Sequence, residues 1–502
     1  MNLLQRLSHE FASVFYKRSY LSFLQGMPHF QEQQIKKLKQ LMPEITTYDE
    51  FKKQYPLTDY SQYSEQIEIQ KKEPHLIFHP TSGSTHQRKW IPYTESLKKE
   101  FDAGISPWLG DLFRSYPAIK KGKHYWSLSW IPDDMREFCS SDDVEVMPWW
   151  KKIFIKNIMA VPSGIQSLPT SRDSILASLV YLCSSQDLSL ISVWSPTYLL
   201  SILEELKVMK EQVITILEEG KWTYPLKCPQ NKSQAQVLKD FHETLDKDFL
   251  KKLWPQLALI SCWDTGSSQV WADQLKKIFP HVSFQGKGLL TTEAVITIPF
   301  HHKTLLAYNS HFYEFLDATN QTVKASWELK VNDKVSPIVT TGSGFIRYQI
   351  PDLLRVEEFY NGNPVLRFLG RMRDIDLVGE KLSPETAEQL FEHVKSLNPQ
   401  YLPISLLAIQ CKKQKSYYVL LVESNFDQLS DPQVVDLFLK NHYHYSLARD
   451  LGQLQEAQLL ILPQARQFYF DLFEKKGMVS GEIKIESLTL INEEIWNQGE
   501  LK

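Results

Sequence analysis

Between residues 75 and 315 the apolar positions follow two alternating rhythms. Short, mostly apolar runs occur at 124–130 (HYWSLSW), 188–194 (LSLISVW), 257–263 (LALISCW) and 281–286 (HVSFQG). Between them, apolar residues recur every three or four positions, the period of a helix with one buried stripe. The short runs read as strands covered on both faces. The longest helical stretch, Tyr198 to Glu219, lines up Leu199, Ile202, Leu203, Leu206, Val213 and Leu217. Strands separated by helices predict an α/β fold built on a doubly wound, mainly parallel sheet.

The rhythm then changes. HFYEFLD (311–317) and the segment after Val335 read as alternating strands joined by turns, predicting a small antiparallel β region. RFLGRMRDIDLVGEKLSPE (367–385) packs charges and glycines between a strand and a helix starting near Pro384, with Ser383 as its N-cap. A boundary there divides the chain into a large N-terminal domain, 1–370, and a smaller α/β C-terminal domain, 371–502. In the latter, 415–424 and 457–463 read as strands and 431–452 as one helix. At the other end, Leu3, Leu4, Leu7, Phe11 and Phe15 form a stripe interrupted by Arg6 and Glu10. This pattern predicts an amphipathic docking helix and not a signal peptide.

Composition narrows the class. A chain of 502 residues exceeds one ordinary core. With 43% hydrophobic and 23% charged residues it is globular, and a net charge of −3 gives no sign of a nucleic-acid footprint or an anionic-membrane binder. The five cysteines (Cys139, Cys183, Cys228, Cys262 and Cys411) form no CxxC, and their odd number fits a reducing cytosol. No apolar run reaches transmembrane length. The expectation is a cytoplasmic protein without nucleic-acid, membrane or obligate protein partners.

Candidate chemistry begins with TSGSTHQRK (81–89). Thr81, Ser82, Gly83, Ser84 and Thr85 would let backbone N–H groups and hydroxyls approach a polyphosphate, with Lys89 adding charge. The loop follows HLIF (75–78), which reads as a short strand, and it contains no Walker GxxxxGK[ST]. Downstream, Thr292-Glu293 ends a strand, and one carboxylate beside phosphates is a common Mg²⁺ ligand. GSGFIRYQIPDLLRV (342–356) offers Arg347, Tyr348 and Asp352, and an Asp at a strand end can accept hydrogen bonds from ribose hydroxyls. Gly370-Arg371 supplies a guanidinium able to reach ribose or phosphate, and Lys484 lies on a short strand in GEIKIESL. Each has a plain alternative: an ordinary surface loop, an exposed glutamate, a Pro-Asp turn, a surface lysine. His301-His302 and His442-x-His444 lack partners at metal-ligand spacing, and no GxSxG elbow supports a hydrolase. Most of the tryptophans (among them Trp126, Trp130, Trp149, Trp150, Trp194 and Trp263) are expected in the core, with one or two lining an acyl pocket.

In this order the segments resemble the adenylate-forming superfamily of acyl-CoA synthetases, peptide-synthetase adenylation domains and luciferase. KWIPYT, LWPQLALISCWDTGS, HFYEFLD, VTTGSGFIRYQIPDLLRVEEF and HYHYSLARDLGQL are similar to one branch, the acyl-acid amido synthetases of the plant auxin-responsive promoter family and their bacterial relatives. The resemblance runs from about residue 75 to 490. It implies ATP and Mg²⁺, a small carboxylic acid and an amine (an amino acid) as substrates, and a mobile C-terminal domain. Thr81 to Thr85, Lys89, Thr292, Tyr348 and Asp352 would then bind nucleotide, Glu293 the metal, and Arg371 and Lys484 would be catalytic. The chain departs from the superfamily pattern at His86 and Arg88 in the loop, at Leu289 where an adenine-stacking aromatic is usual, and at Ile350-Pro351 before Asp352. An acyl-CoA ligase and a non-catalytic ligand-binding member remain as alternatives.

Overall fold

Four sheets carry the strands of the computed structural model, which describes residues 3–71, 76–80, 89–127, 157–240, 246–371, 375–378, 380–412, 414–425, 433–475, 478 and 483–499. β1 (Ile77–Pro80) and β2 (Trp90–Tyr93) pair antiparallel, with Pro80 opposite Trp90. β3 (Lys123–Trp126), β4 (Leu188–Ser192), β5 (Leu259–Cys262) and β6 (Ser283–Gly286) form a parallel sheet in chain order. Each of the four apolar runs therefore contains a parallel strand, as their patterning predicts. β4 and β5 are buried at every position, which is why they read as continuous apolar runs and not as alternations. The helix Pro196–Glu219 follows β4, with proline in its first turn and Gly220 ending it at φ 68°, a left-handed conformation that glycine adopts without strain.

The antiparallel region is larger than its sequence suggests. β7 (Thr297–Phe300), β8 (Lys303–Leu306), β9 (Phe312–Asp317), β10 (Val323–Ala325), β11 (Lys334–Thr340), β12 (Tyr348–Gln349), β13 (Asp352–Tyr360) and β14 (Asn363–Arg371) make one eight-stranded sheet. Its order is β10-β9-β11-β13-β14-β8-β7, with β12 against β11. Several of these strands are buried on both faces (all four residues of β7, six of seven in β11), so the alternation that marks a half-exposed sheet is weak. Ile298, Phe300, Tyr313, Phe315, Val339 and Leu354 of this sheet pack into one core with Tyr20, Phe23, Leu97 and Trp108 from two helices.

The N-terminal helix, Leu3–Gly26, forms where expected but turns its stripe the other way. Leu3 is 72% exposed, and Leu4, Leu7, Phe11 and Phe15 are exposed as well. The buried face carries Gln5, Ser8 and His9 instead, because each finds a partner there. His9 Nε2 bonds the Gly122 carbonyl oxygen at 2.7 Å, Gln5 Nε2 reaches Asp187 at 3.4 Å, and Ser8 donates to the Leu4 carbonyl. Docking through the apolar stripe is thus corrected: the helix docks through the bonds of Gln5 and His9 to Asp187 and Gly122, and through Tyr20 and Phe23 further along.

Residue contacts divide the chain into two compact units, Met1–Thr81 with Lys89–Leu369 and Gly370–Lys502. In the second, β15 (Leu402–Gln410), β16 (Tyr417–Glu423), β17 (Gln458–Leu462) and β18 (Leu488–Asn492) lie in the order β17-β16-β15-β18. The helix Pro384–Leu397 starts as predicted, Ser383 accepting a hydrogen bond from the Thr386 N–H. The single helix expected over 431–452 is instead two, Val434–Leu439 and Tyr443–Asp450. The buried Asp436 carboxylate accepts from Tyr445 Oη, Arg449 Nε and the Ala457 N–H, folding the second helix back onto the first. Among the described residues no helix is long and apolar enough to cross a membrane.

One ion pair sets the first unit's interior. Arg347, at φ 48°, donates from Nε to Glu314 Oε2 (2.8 Å) and from Nη2 to Oε1 (2.9 Å), with both side chains buried. Its Nη1 donates to the carbonyls of Tyr55 and Lys52, and Tyr48 Oη donates to Glu314. Removing the carboxylate alone would strand a buried guanidinium. Glu314→Ala should therefore cost about 3–5 kcal/mol, seen as a lower urea midpoint. A cost below about 1 kcal/mol would show that water solvates the guanidinium in place of the carboxylate.

Candidate active site

Gly286 ends β6, and the chain then crosses closely under β7. A Cβ on Gly288 would lie 1.9 Å from the Thr297 carbonyl oxygen, so only glycine permits this approach. Leu289 N–H donates to Thr297 Oγ1 at 2.8 Å. A turn follows in which Thr291 N–H donates to the Ala294 carbonyl and Ala294 N–H to Thr291 Oγ1. Thr292 and Glu293 sit at its apex. Thr292's carbonyl accepts from Tyr93 Oη of β2 at 3.1 Å.

Glu293 is 8% exposed, and its Oε1 accepts from Tyr348 Oη at 3.4 Å. Lys89, immediately before β2, donates to the same Tyr348 hydroxyl at 3.2 Å. Its Nζ also lies 5.5 Å and 5.8 Å from the ring centroids of Tyr60 and Tyr348. Tyr348 is fixed in turn: its ring stacks on Phe345 at 4.7 Å, and Thr58 brackets it through bonds to Arg347 O and Gln349 N. Lys89, Tyr348 and Glu293 thus meet although 259 and 55 residues separate them from Tyr348.

Burial pushes the Glu293 carboxyl upward, Lys89 and hydrogen bonds oppose this, and the nearby Asp352 carboxylate adds to the rise. Asp352 opens β13 and is itself buried. Two buried carboxylates beside a lysine, one raising the proton affinity of the other, form an oxygen donor set that a hard divalent cation would relieve. Among the described residues no group of three or more His, Cys, Asp or Glu could cage a metal without other ligands.

Thr81, Ser82, Gly83, Ser84 and Thr85, with His86 and Arg88, lie outside the described residues, as do Trp130, Trp149, Trp150 and Cys139. The backbone of Arg371 closes β14, and its side chain lies outside them too. Lys484 belongs to the second unit and is half-buried, its carbonyl accepting from Tyr469 Oη at 3.2 Å. It is not on a strand: Ile483 and Ile485 are buried in alternation with it, but pairing with β15 starts only at Ser487, whose carbonyl accepts from Leu406 N–H. Leu289 is buried in the core of the first unit. His301 serves a tight turn at φ 49°, bonded to Tyr20 and Tyr360.

Sequence reasoning missed Lys287. Its Nζ lies 4.8 Å, 5.6 Å and 4.6 Å from the ring centroids of Trp108, Trp126 and Trp194, and donates to Ser192 Oγ at 2.8 Å. Burial pushes its ammonium down to about 7, with only the Cys262 sulfur working the other way. The legible signal was that successive parallel strands end in, or are shortly followed by, tryptophan: Trp126, Trp194 and Trp263.

The family model described as the GH3 family N-terminal domain matches residues 32–284, and that of the GH3 family central domain matches 304–371. Over 174 residues the chain is 24% identical to indole-3-acetic acid-amido synthetase GH3.15 of Arabidopsis thaliana, a stretch covering 30% of this chain and 28% of that protein. It is 30% identical over 171 residues to the probable indole-3-acetic acid-amido synthetase GH3.7 of Oryza sativa subsp. japonica, covering 27% and 26%. The matched stretches thus span little more than a quarter of these curated relatives. The solved structure of AtGH3.15 acyl acid amido synthetase in complex with 2,4-DB shares the fold at a TM-score of 0.78, with 16% identity over 96% of each chain. Another structure of GH3.15 acyl acid amido synthetase gives 0.73 at 16% identity, over 94% of this chain and 91% of that one.

The buried ammonium of Lys287 has a thermodynamic signature. Its folded pKa of about 7 lies below the ordinary 10.5, so between these values the unfolded chain binds more protons and stability rises with pH. Below pH ~7 both states hold the proton and the full cost of burying charge applies. Lys287→Met should accordingly raise the melting temperature most at pH 6, with the gain shrinking toward pH ~10. A pH-independent difference between variant and parent would show that the ammonium is compensated in the native state.

Proposed function

The chain belongs to the GH3 family, and on that premise we propose that it is an ATP- and Mg²⁺-dependent acyl-acid amido synthetase. The observation that carries the proposal is the convergence of Lys89, Tyr348 and Glu293 beside Asp352 in a buried, oxygen-rich site. In the first half-reaction a carboxylate oxygen of the acid attacks the α-phosphorus of ATP. The bond to the bridging oxygen breaks, pyrophosphate leaves and an acyl-adenylate forms. In the second, an amine nitrogen, that of an amino acid, attacks the acyl carbon. The bond to the AMP oxygen breaks, the nitrogen loses a proton, and the amide and AMP are released.

The side chains position and stabilise charge, so no nucleophilic residue is needed. Glu293 would hold Mg²⁺, which when bound supplies positive charge to the phosphates. Lys89, poised over Tyr60 and Tyr348, would neutralise phosphate oxygens alongside Thr81 to Thr85. Asp352 would accept hydrogen bonds from the ribose. Tyr348 and the backbone of Thr292 frame the site. Arg371 and Lys484 would join from a C-terminal domain beginning near residue 371 that reorients between half-reactions and excludes water from the labile adenylate. The free thiols of Cys183, Cys228, Cys262 and Cys411 support a reducing, cytoplasmic setting.

Glu293→Gln keeps the shape of the side chain and removes its charge. Acid-dependent exchange of pyrophosphate into ATP should fall by at least ~10²-fold in this variant, and EDTA should abolish it in the parent. Unchanged exchange in the variant would remove Glu293 from the site.

Lys484→Ala separates the half-reactions. Its charge acts where negative charge develops between carboxylate and α-phosphate, so exchange should fall ~10²-fold or more. Given a preformed acyl-adenylate and amine, the variant should still form amide near the parental rate. Normal exchange would transfer the role to another lysine, Lys381 first. Equal loss in both steps would count against domain alternation.

A further inference from the structure

We propose that Lys287 and the tryptophans around it form a subsite for a second carboxylate on the acid, so that the preferred substrate is a flat, apolar dicarboxylic acid. The proposal rests on the amido synthetase reading, and concerns which acid is activated.

Position is the first argument. Trp126 is the last residue of β3, Ser192 of β4, Cys262 of β5 and Gly286 of β6; Lys287 follows β6 directly and Trp194 lies two residues beyond β4. All lie at the carboxyl ends of parallel strands, where open α/β sheets bind ligands. Lys287 N–H donates to the Cys262 carbonyl at 3.0 Å, extending the β5–β6 ladder by one residue and fixing the backbone. Only six residues (293 − 287) then lead to Glu293, and the segment between is tied down through Leu289 and Thr297. The subsite is thereby joined to the place where the reacting carboxylate would meet ATP.

Charge is the second. Lys287 is 6% exposed, and among the described residues it enters no ion pair. Its ammonium faces three indole rings and one hydroxyl. Cation–π attraction and one hydrogen bond leave most of the cost of burying an unpaired cation unmet, and methionine would fill the same space without it. The surroundings are built to hold the group in place: Trp108 donates from Nε1 to Gln285 Oε1 at 2.9 Å and packs edge-on against Trp126 at 6.2 Å. A rigid apolar enclosure with one unpaired positive charge is complementary to a flat apolar body bearing an anion. A monocarboxylic acid spends its only charge at the α-phosphate, so the anion read by Lys287 is a second one.

The test uses isophthalate and terephthalate, each against its monomethyl ester, with benzoate as the uncharged-end reference. Binding without ATP is read from quenching of tryptophan fluorescence, and activation from pyrophosphate exchange. The parent should prefer each diacid to its ester by ~10-fold or more, as expected for one charge-assisted hydrogen bond. Lys287→Met should erase the preference, and Lys287→Arg should retain part of it. A cooperative melting transition in Lys287→Met no lower than the parent's, as loss of a buried charge predicts, guards against misfolding as the cause of a lost preference. Diacid and ester bound alike by the parent, no diacid binding at all, or an unchanged ratio in Lys287→Met would each overturn the subsite. Exchange that is equal for diacid and ester and indifferent to Lys287 would sink it while leaving amide synthesis standing. Lys287-dependent diacid binding with no exchange from any acid would uphold the subsite and sink the ligase reading.

Discussion

Arg347 and Glu314 meet through two parallel N–H···O bonds in an interior that water barely reaches, and much of the candidate site hangs from that pair. Glu314 sits in the middle of β9, whose partners β10 and β11 frame the antiparallel sheet. Arg347 is held at a positive φ by its guanidinium and by a bond from its N–H to Thr340 Oγ1. A non-glycine residue adopts that conformation when surrounding contacts over-determine it. The consequence is the direction of the next residue: Tyr348 turns inward toward Glu293 and Lys89. The pair also anchors the helix Tyr48–Gln54, through Tyr48 Oη and the Lys52 and Tyr55 carbonyls.

A second buried network braces the other side of the same site. Val295 N–H donates to His311 Nε2 at 3.2 Å, so the proton sits on Nδ1, which donates to Glu100 Oε2 at 2.8 Å. Burial lowers the imidazole's proton affinity and favours this neutral form, while Glu100's charge opposes the shift. Glu100 also accepts from the Gly342 N–H. A Cβ on Gly342 would meet Ser96 Oγ at 2.2 Å, so side chains of the helix Glu95–Ser115 pack directly on the backbone of the 341–345 turn. The residues just after Glu293 and those just before Arg347 are therefore tied to one rigid helix. Preorganisation of this kind suits a site whose work is electrostatic, since no energy is then lost to reordering when charge develops.

The parallel sheet contributes differently. It presents the carboxyl ends of four strands, and there the buried cation of Lys287 stands among indoles that their own contacts hold in place. The antiparallel sheet supplies Tyr348 and Asp352, and the turn between β6 and β7 connects the two with Glu293 at its apex. On the proposed function, specificity and chemistry would come from different sheets joined by one short segment.

What is local was legible in the sequence. The parallel strands could be read because strands covered on both faces must be apolar throughout, and the helices Pro196–Glu219 and Pro384–Leu397 because their stripes and caps are written in neighbouring residues. Glu293, Tyr348 and Lys89 could be named from motif order, but not their meeting at one hydroxyl. The N-terminal helix exposes the limit: periodicity marks a stripe, yet which side packs depends on whether distant groups such as Gly122 and Asp187 can satisfy Gln5 and His9. Lys484 carries strand-like alternation without a ladder, because pairing requires a neighbour in register, which alternation cannot specify. Lys287, between two glycines, looks like a solvated loop residue until Trp108, Trp126 and Trp194 close around it from a helix, the end of β3 and the segment after β4. Hydrophobic patterning acts over a few residues and is printed in the chain. The pairing of buried charges and polar groups acts between residues hundreds of positions apart, and only the folded arrangement decides it.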